Sequence, residues 1–246
     1  MPVEGLTWLK RDELLNYEEI ETIVRTMAGM GLRRVRITGG EPLIRRDLPD
    51  LVRKISAIPE IEDLSLSTNA VLLADQAQDL RDAGIQRLNV SLDSLQQDRV
   101  DEIARRPGSF PKIFEGLEAA ERVGFTPIKV NVVLIRGRND DEIEDFARIT
   151  KERPWHVRFI EVMPTGSNLD LSANSFVSCQ EALTRVRAID QLEPVDGPFG
   201  NGPADYYRFP GAPGTVGVIT PMSHNYCHRC NRCCCRCSPQ VARSFG

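Results

Sequence analysis

The stretch Arg33-Arg34-Val35-Arg36-Ile37-Thr38-Gly39-Gly40-Glu41-Pro42 decides the fold. From Arg34 to Thr38 it alternates charged or polar with β-branched side chains, the mark of a strand with two unlike faces. The strand stops at two glycines, whose missing side chains let a ligand approach the backbone closely. Glu41 follows, with a carboxylate to offer to a cation such as an amino group. Taken alone, a strand-end Gly-Gly is equally compatible with a plain tight turn.

Working outward, similar short runs lie at 63–68 (DLSLST), 86–93 (QRLNVSLD), 128–134 (IKVNVVL) and 156–163 (HVRFIEVM). Helical spacing separates them: Leu48, Leu51, Val52 and Ile55 recur at i, i+3, i+4 and i+7, and Ile113, Leu117 and Ala120 repeat the habit ahead of Gly124. A strand, helix, strand rhythm of this kind predicts parallel strands with crossover helices. Five such units precede Pro164. From 165 to 246 Gly, Pro and Ser become frequent and the period fades, which predicts a loop-rich extension with a late hairpin around 206–219.

The strands share a polar face. Arg36 and Thr38, Ser65, Ser67 and Asn69, Asn89, Ser91 and Asp93, then Lys129 and Asn131 alternate with Val35, Ile37, Leu64, Leu66, Leu88, Val90, Leu92, Val130 and Val132. A parallel barrel normally packs its lumen with branched side chains. Here the apolar face must meet the helices, so the polar face is expected to line a wet or ligand-filled space. The alternative is an open sheet whose second face meets solvent, a rare arrangement for parallel strands.

The bulk numbers restrict the function. A chain of 246 residues with 41% hydrophobic content buries one sizeable core. A net charge of −4 gives no electrostatic case for nucleic acid or a membrane surface as partner. No apolar run reaches transmembrane length and the first residues do not read as a signal peptide, so the expectation is a soluble, cytoplasmic protein. Six of the seven cysteines (Cys227, Cys230, Cys233, Cys234, Cys235 and Cys237) crowd one short tail, whereas Cys179 stands alone. Clustering of this kind favours metal or iron–sulfur ligation in a reducing compartment over a disulfide framework.

Several motifs in register now point to one family. The runs VRITGGEPLIRRDLPDL, STN, NVSLDS, KVNVV, RFIEVMPTG and MSHNYCHRCNR resemble, in order and spacing, the GTP 3′,8-cyclases of the radical S-adenosylmethionine (SAM) superfamily, which open molybdenum-cofactor biosynthesis. The resemblance runs from Met1 to about Arg232. It implies an incomplete parallel (βα)6 TIM-type barrel over 1–164, lacking its first strand, and a small C-terminal extension over 165–246 with a cysteine-rich tail. It implies that Gly39, Gly40, Glu41, Ser91 and Met163 belong to a SAM site. It also implies that Arg36, Ser67, Lys129, Arg158 and Arg232 contact GTP, a triphosphate suited to charge-assisted hydrogen bonds from guanidinium and ammonium groups. For any one of these cations, a solvated or salt-bridged surface side chain is the alternative.

By the same resemblance, a [4Fe-4S] cluster and SAM generate a radical that removes the ribose 3′ hydrogen, and the sugar carbon closes on guanine C8. A second cluster, on C-terminal cysteines that include Cys227 and Cys230, anchors the guanine. The resemblance further implies a homodimer, and a product consumed by cyclic pyranopterin monophosphate synthase. The chain departs from the pattern at both ends. Ahead of Cys179 it carries no cysteine and so no N-terminal C-x3-C-x2-C, and it begins at Met1-Pro2, which predicts a truncated start and impaired activity. After Arg232 it reads CCCRCSPQVARSFG, with Ser244 where a third cluster cysteine is expected. Cys227, Cys230, Cys233 and Cys237 match a ferredoxin-type spacing that suits a cluster or a zinc ion, and translation of a wrong frame is the alternative. A non-catalytic SAM- or GTP-binding remnant and a different radical SAM enzyme are the competing functional readings.

Overall fold

The computed structural model describes residues 14–104, 107–163, 175–197 and 202–224. Helix α1 (Tyr17–Gly29) opens on a capping box. The Asn16 side chain accepts from the Glu19 amide at 2.8 Å, and the Glu19 carboxylate accepts from the Asn16 amide at 2.8 Å. Strands β1 (Arg34–Ile37), β2 (Asp63–Thr68), β3 (Arg87–Ser91), β4 (Ile128–Leu134) and β5 (Trp155–Glu161) follow in the predicted places. Between and around them run α2 (Leu48–Ser56), α3 (Leu73–Ala83), α4 (Gln97–Ala104), α5 (Ser109–Arg122) and α6 (Ile143–Glu152).

The five strands pair in parallel in chain order, β1-β2-β3-β4-β5. The alternation read from the sequence is the physical division of the sheet. Leu64, Leu66, Leu88, Val90, Val130 and Val132 are buried in one apolar cluster with Leu51, Ile55, Leu80 and Leu117 from the helices. Burying each such side chain contributes about 1.5–3 kcal/mol, so this face fixes the register.

The late hairpin forms, from β7 (Asp205–Arg208) and β8 (Thr215–Ile219), with the short β6 (Glu193–Val195) antiparallel to β7. It does more than cap a loop-rich extension. Strand β8 lies parallel to β5 and is the sixth parallel strand of one eight-stranded, open sheet ordered β1-β2-β3-β4-β5-β8-β7-β6. The link is set by Gly214, whose amide donates to the Thr150 carbonyl at 3.0 Å. A side chain there would begin 2.2 Å from the Trp155 carbonyl oxygen and 2.8 Å from that of Arg153, both rigid backbone. Gly214→Ala is therefore expected to destabilise the fold by about 2 kcal/mol or more, read as a lower denaturant midpoint by circular dichroism.

Helix α7 (Cys179–Arg187) starts at Ser178, whose hydroxyl accepts from the Glu181 amide at 3.1 Å. Its first residue, Cys179, is buried with Leu183 and Val218. Burial pushes the Cys179 thiol up to about 12, so it is a packed, inert thiol at neutral pH.

Candidate functional site

Parallel pairing places the polar-face residues in level rows. One row crosses β1, β2 and β3 as Arg36, Ser65 and Arg87. The next runs Ser67, Asn89, Lys129, His156 and Thr215, and the one above it runs Ser91, Asn131, Arg158 and Gly217. Successive rows on one face stand two residues apart, about 6.6 Å along the strands.

Several of these polar groups are buried. Arg158 is 3% exposed and Lys129 4% exposed. The Arg158 guanidinium donates from Nε to Asn131 Oδ1 and from Nη2 to Asn89 Oδ1, both at 2.8 Å, so two asparagines hold it across the sheet. Gly217 makes room for it, since a Cβ there would lie 3.0 Å from Arg158 Cγ and 2.9 Å from the Tyr206 ring. Arg36 reaches Ser65 Oγ from Nε at 3.4 Å.

The electrostatics follow from this packing. Burial drives the Lys129 ammonium down to about 7, and the charges of Arg158, Arg87 and Arg36 push the same way against a small opposing effect of Asp63. His156 is driven down to about 4, first by burial and then by Lys129, Arg208 and Arg158. Its Nδ1 meets the Thr215 hydroxyl at 2.8 Å, and the ring is neutral at physiological pH. Arg158, Arg87 and Arg36 thus add a positive field to the burial that lowers Lys129, and that field is what an anion would relieve.

The rim lies at the C-terminal ends of the strands. Gly39 and Gly40 are exposed after β1, and a Cβ on either would meet nothing within 4 Å. Neither has φ in the left-handed region, so the turn itself does not require glycine there, and open space over the backbone is what the pair provides. Ser91 ends β3 exposed, and Met163, just past β5, is 45% exposed. Glu41 behaves differently from its sequence reading. Its Oε1 accepts from Thr68 Oγ1 at 2.7 Å and from the Leu43 amide at 3.1 Å, and its Oε2 accepts from the Asn69 amide at 2.7 Å. The carboxylate thereby braces the Gly-Gly loop against the end of β2.

A second carboxylate organises the other side of the rim. Glu161 is buried at the end of β5 and accepts from the amides of Cys179, Met222 and Ser223 and from the Ser223 hydroxyl at 2.6–3.1 Å. Burial alone would raise its pKa, but these four donors hold it below the usual carboxylate value. Glu161 so fixes the turn at 221–224 that leads to the cysteine tail. Cys227, Cys230 and Arg232 themselves lie outside the described residues.

Sequence reasoning misses Arg87, His156, Thr215 and Gly217, whereas Glu161 falls in the quoted run RFIEVMPTG without being given a role. The first two had a signal, since Arg87 stands two residues before the polar-face Asn89, and His156 two before Arg158, which the resemblance singles out.

Comparison with known proteins gives this geometry a family. Residues 5–149 match the model of the radical SAM superfamily, and residues 155–240 match that of Molybdenum Cofactor Synthesis C. The chain is 48% identical over 233 residues to the GTP 3′,8-cyclase of Pelotomaculum thermopropionicum, covering 94% of this chain and 71% of that one. The chain belongs to the GTP 3′,8-cyclase family. The GTP 3′,8-cyclase of Listeria monocytogenes serotype 4b is likewise 48% identical over 240 residues, covering 94% of this chain and 70% of its own. Among solved structures, a radical SAM methyltransferase from Sphaerobacter thermophilus superposes with a TM-score of 0.52 at 22% identity, over 82% of this chain and 56% of that one. HydG, a maturase of the [FeFe]-hydrogenase, gives 0.54 at 15% identity, over 71% of this chain and 43% of its own. At these identities the two structures speak to the α/β radical SAM fold alone. The family uses SAM and a [4Fe-4S] cluster. No helix among the described residues is long and apolar enough to cross a membrane.

Proposed function

We propose that the chain is a GTP 3′,8-cyclase, built for the conversion of GTP to 3′,8-cyclo-7,8-dihydro-GTP in the first step of molybdopterin biosynthesis, with turnover impaired in the sequence as it stands because no cysteine precedes Cys179. The observation that carries this reading is the buried cation set on the polar strand face, with Lys129 at its centre. Lys129, Arg158 and Arg36 bind the triphosphate, exchanging their mutual repulsion for charge-assisted hydrogen bonds. Ser67, in the same row as Lys129, donates its hydroxyl to the nucleotide.

The rim residues fit an adenosyl ligand, because the open space over Gly39 and Gly40 faces away from any packed atom and Ser91 and Met163 are exposed at the same strand ends. In this reading Gly40, Ser91 and Met163 contact SAM, and Glu41 keeps the Gly39-Gly40 loop in place. When bound, SAM and a [4Fe-4S] cluster supply the one-electron chemistry of the superfamily. The chain's own contribution is to hold the ribose against the rim with its phosphates drawn down into the lumen, and to keep water out of that space. The thiol pair Cys227-x2-Cys230 suits a second iron–sulfur cluster, and Arg232 is proposed as a further GTP contact.

In the same reading, residues 1–164 supply the first five parallel strands of the radical SAM partial barrel, and 165–246 add β8 as the sixth and carry the cluster tail. The protein works in the cytoplasm as a homodimer and passes its product to cyclic pyranopterin monophosphate synthase. Calorimetric titration of GTP and guanosine into the anaerobically prepared full chain tests the reading. GTP binding at least tenfold tighter than guanosine is expected, because phosphate contacts provide most of the affinity. Equal affinity for the two would remove the cation set from the site.

A further inference from the structure

His156 stands directly beside Lys129, as its Cα partner across β4 and β5, and two residues before Arg158 on its own strand. Its ring is half-buried, and Lys129, Arg208 and Arg158 act on it with no carboxylate to offset them. Burial and that field together keep the imidazole neutral at physiological pH. A neutral imidazole carries one N–H, and its neighbours decide which nitrogen bears it. Thr215, the Cα partner on β8, is buried, and its hydroxyl meets His156 Nδ1 at 2.8 Å. No other acceptor for that hydroxyl proton is present among the described residues. A buried hydroxyl gives its proton to the acceptor within reach, so Thr215 donates to Nδ1 and the ring's own hydrogen sits on Nε2. Nε2 has no hydrogen-bond partner among the described residues and is not sealed from solvent. The polar face therefore presents, level with Lys129, an accessible and uncharged N–H. A further lysine or arginine there would add to the repulsion that already lowers Lys129, whereas a neutral donor offers a phosphate oxygen a hydrogen bond without adding charge.

We propose that His156, held by Thr215 as the Nε2–H tautomer, donates a hydrogen bond to the phosphate chain of the substrate nucleotide beside Lys129. The assignment rests on the GTP reading above. It adds to the cation set one neutral donor, His156, and one positioning residue, Thr215, that acts through it.

Calorimetry of GTP and guanosine with the full chain, together with nitrogen-15 NMR of its histidine rings, tests the assignment. His156→Asn removes the donor at the Nε2 position, and His156→Gln returns an amide N–H close to it. GTP affinity should fall about tenfold in His156→Asn, the loss of a hydrogen bond to a charged acceptor, and recover to within about threefold of wild type in His156→Gln. Guanosine affinity should stay unchanged in both. In the wild type at pH 7 the His156 signals, identified by their loss in either variant, should show a protonated Nε2 and a bare Nδ1, and GTP should shift the Nε2 signal. Thr215→Val removes the hydroxyl at nearly constant shape, and should weaken GTP binding while populating the other tautomer. A ring protonated on Nδ1, or an Nε2 signal indifferent to GTP, overturns the proposal even if His156→Asn does not fold. Equal losses for GTP and guanosine, or no loss of GTP affinity in His156→Asn, overturn it as well. Wild-type protein that binds GTP no tighter than guanosine overturns the underlying reading instead, and GTP binding that depends on Lys129 but is indifferent to His156 overturns this contact alone.

Discussion

Lys129→Met is expected to weaken GTP binding by about ten- to a hundredfold, the loss of one charge-assisted hydrogen bond in a buried site. The larger signature is in the pH dependence. In the free protein Lys129 is held down to about 7 by burial and by Arg158, Arg87 and Arg36. A bound triphosphate supplies negative charge beside it and raises the pKa toward the ordinary lysine value, so binding above pH 7 takes up a proton. The GTP dissociation constant should therefore rise between about pH 7 and about pH 10, by up to tenfold per unit, and stay flat with respect to this group below 7. In Lys129→Met that rise should vanish. His156, driven down to about 4, titrates far below the window and does not blur it. Calorimetry in two buffers of different ionisation enthalpy measures the proton uptake directly.

The same shift bears on stability, with its sign set by where each state binds protons. Below pH 7 both folded and unfolded chains carry a charged Lys129, and the full penalty of burying that charge is present. As the pH rises from about 7 toward the unfolded lysine value, the folded chain loses the proton first and the penalty is relieved. The contribution of Lys129 to stability thus rises with pH across this range, and GTP should stabilise the protein most at the lower end. Thermal unfolding midpoints of wild type and Lys129→Met, taken across that range, check the sign.

Arg158→Ala has the second large effect, and it separates into two readings. It removes a cation from the site and leaves Asn89 and Asn131 without the donors that now meet them at 2.8 Å. GTP affinity should fall by a further order of magnitude or more, on the scale of a lost charged contact. Arg158 is also the strongest single charge depressing Lys129, so its removal lets the Lys129 pKa climb and moves the pH window of GTP affinity upward. Arg158→Lys should restore little, because an ammonium cannot span two asparagine oxygens as the planar fork does. An unmoved pH window would show that the two cations do not share a field.

The parts of this arrangement that were legible in the sequence are those fixed by local periodicity. Period-two alternation places Arg36, Ser67, Lys129 and Asn131 on one face whatever the tertiary context, and the parallel register then brings them level. The same rule reaches Arg87 and His156, which carry no motif to draw attention to them. What the sequence conceals is non-local. Glu41 stands in the most conspicuous motif of the chain, yet its partners Thr68 and Asn69 come from the next strand, 27 and 28 residues away. Glu161 is tied to residues 61 and 62 positions onward. Strand β8 reads as half of a hairpin because its antiparallel partner is near in sequence, while its parallel partner β5 is reached only across α7, β6 and β7. Side-chain pattern announces a face; it does not announce which distant backbone will approach it.

The central claim is that a nucleotide's triphosphate enters the polar face of the parallel sheet and is held there by buried cations. A crystal structure of the full chain with GTP tests it most directly. The account predicts phosphate oxygens within hydrogen-bonding distance of both Lys129 Nζ and the Arg158 guanidinium, with the ribose toward Ser91. A nucleotide bound elsewhere on the surface, with neither Lys129 nor Arg158 touching phosphate, would contradict it.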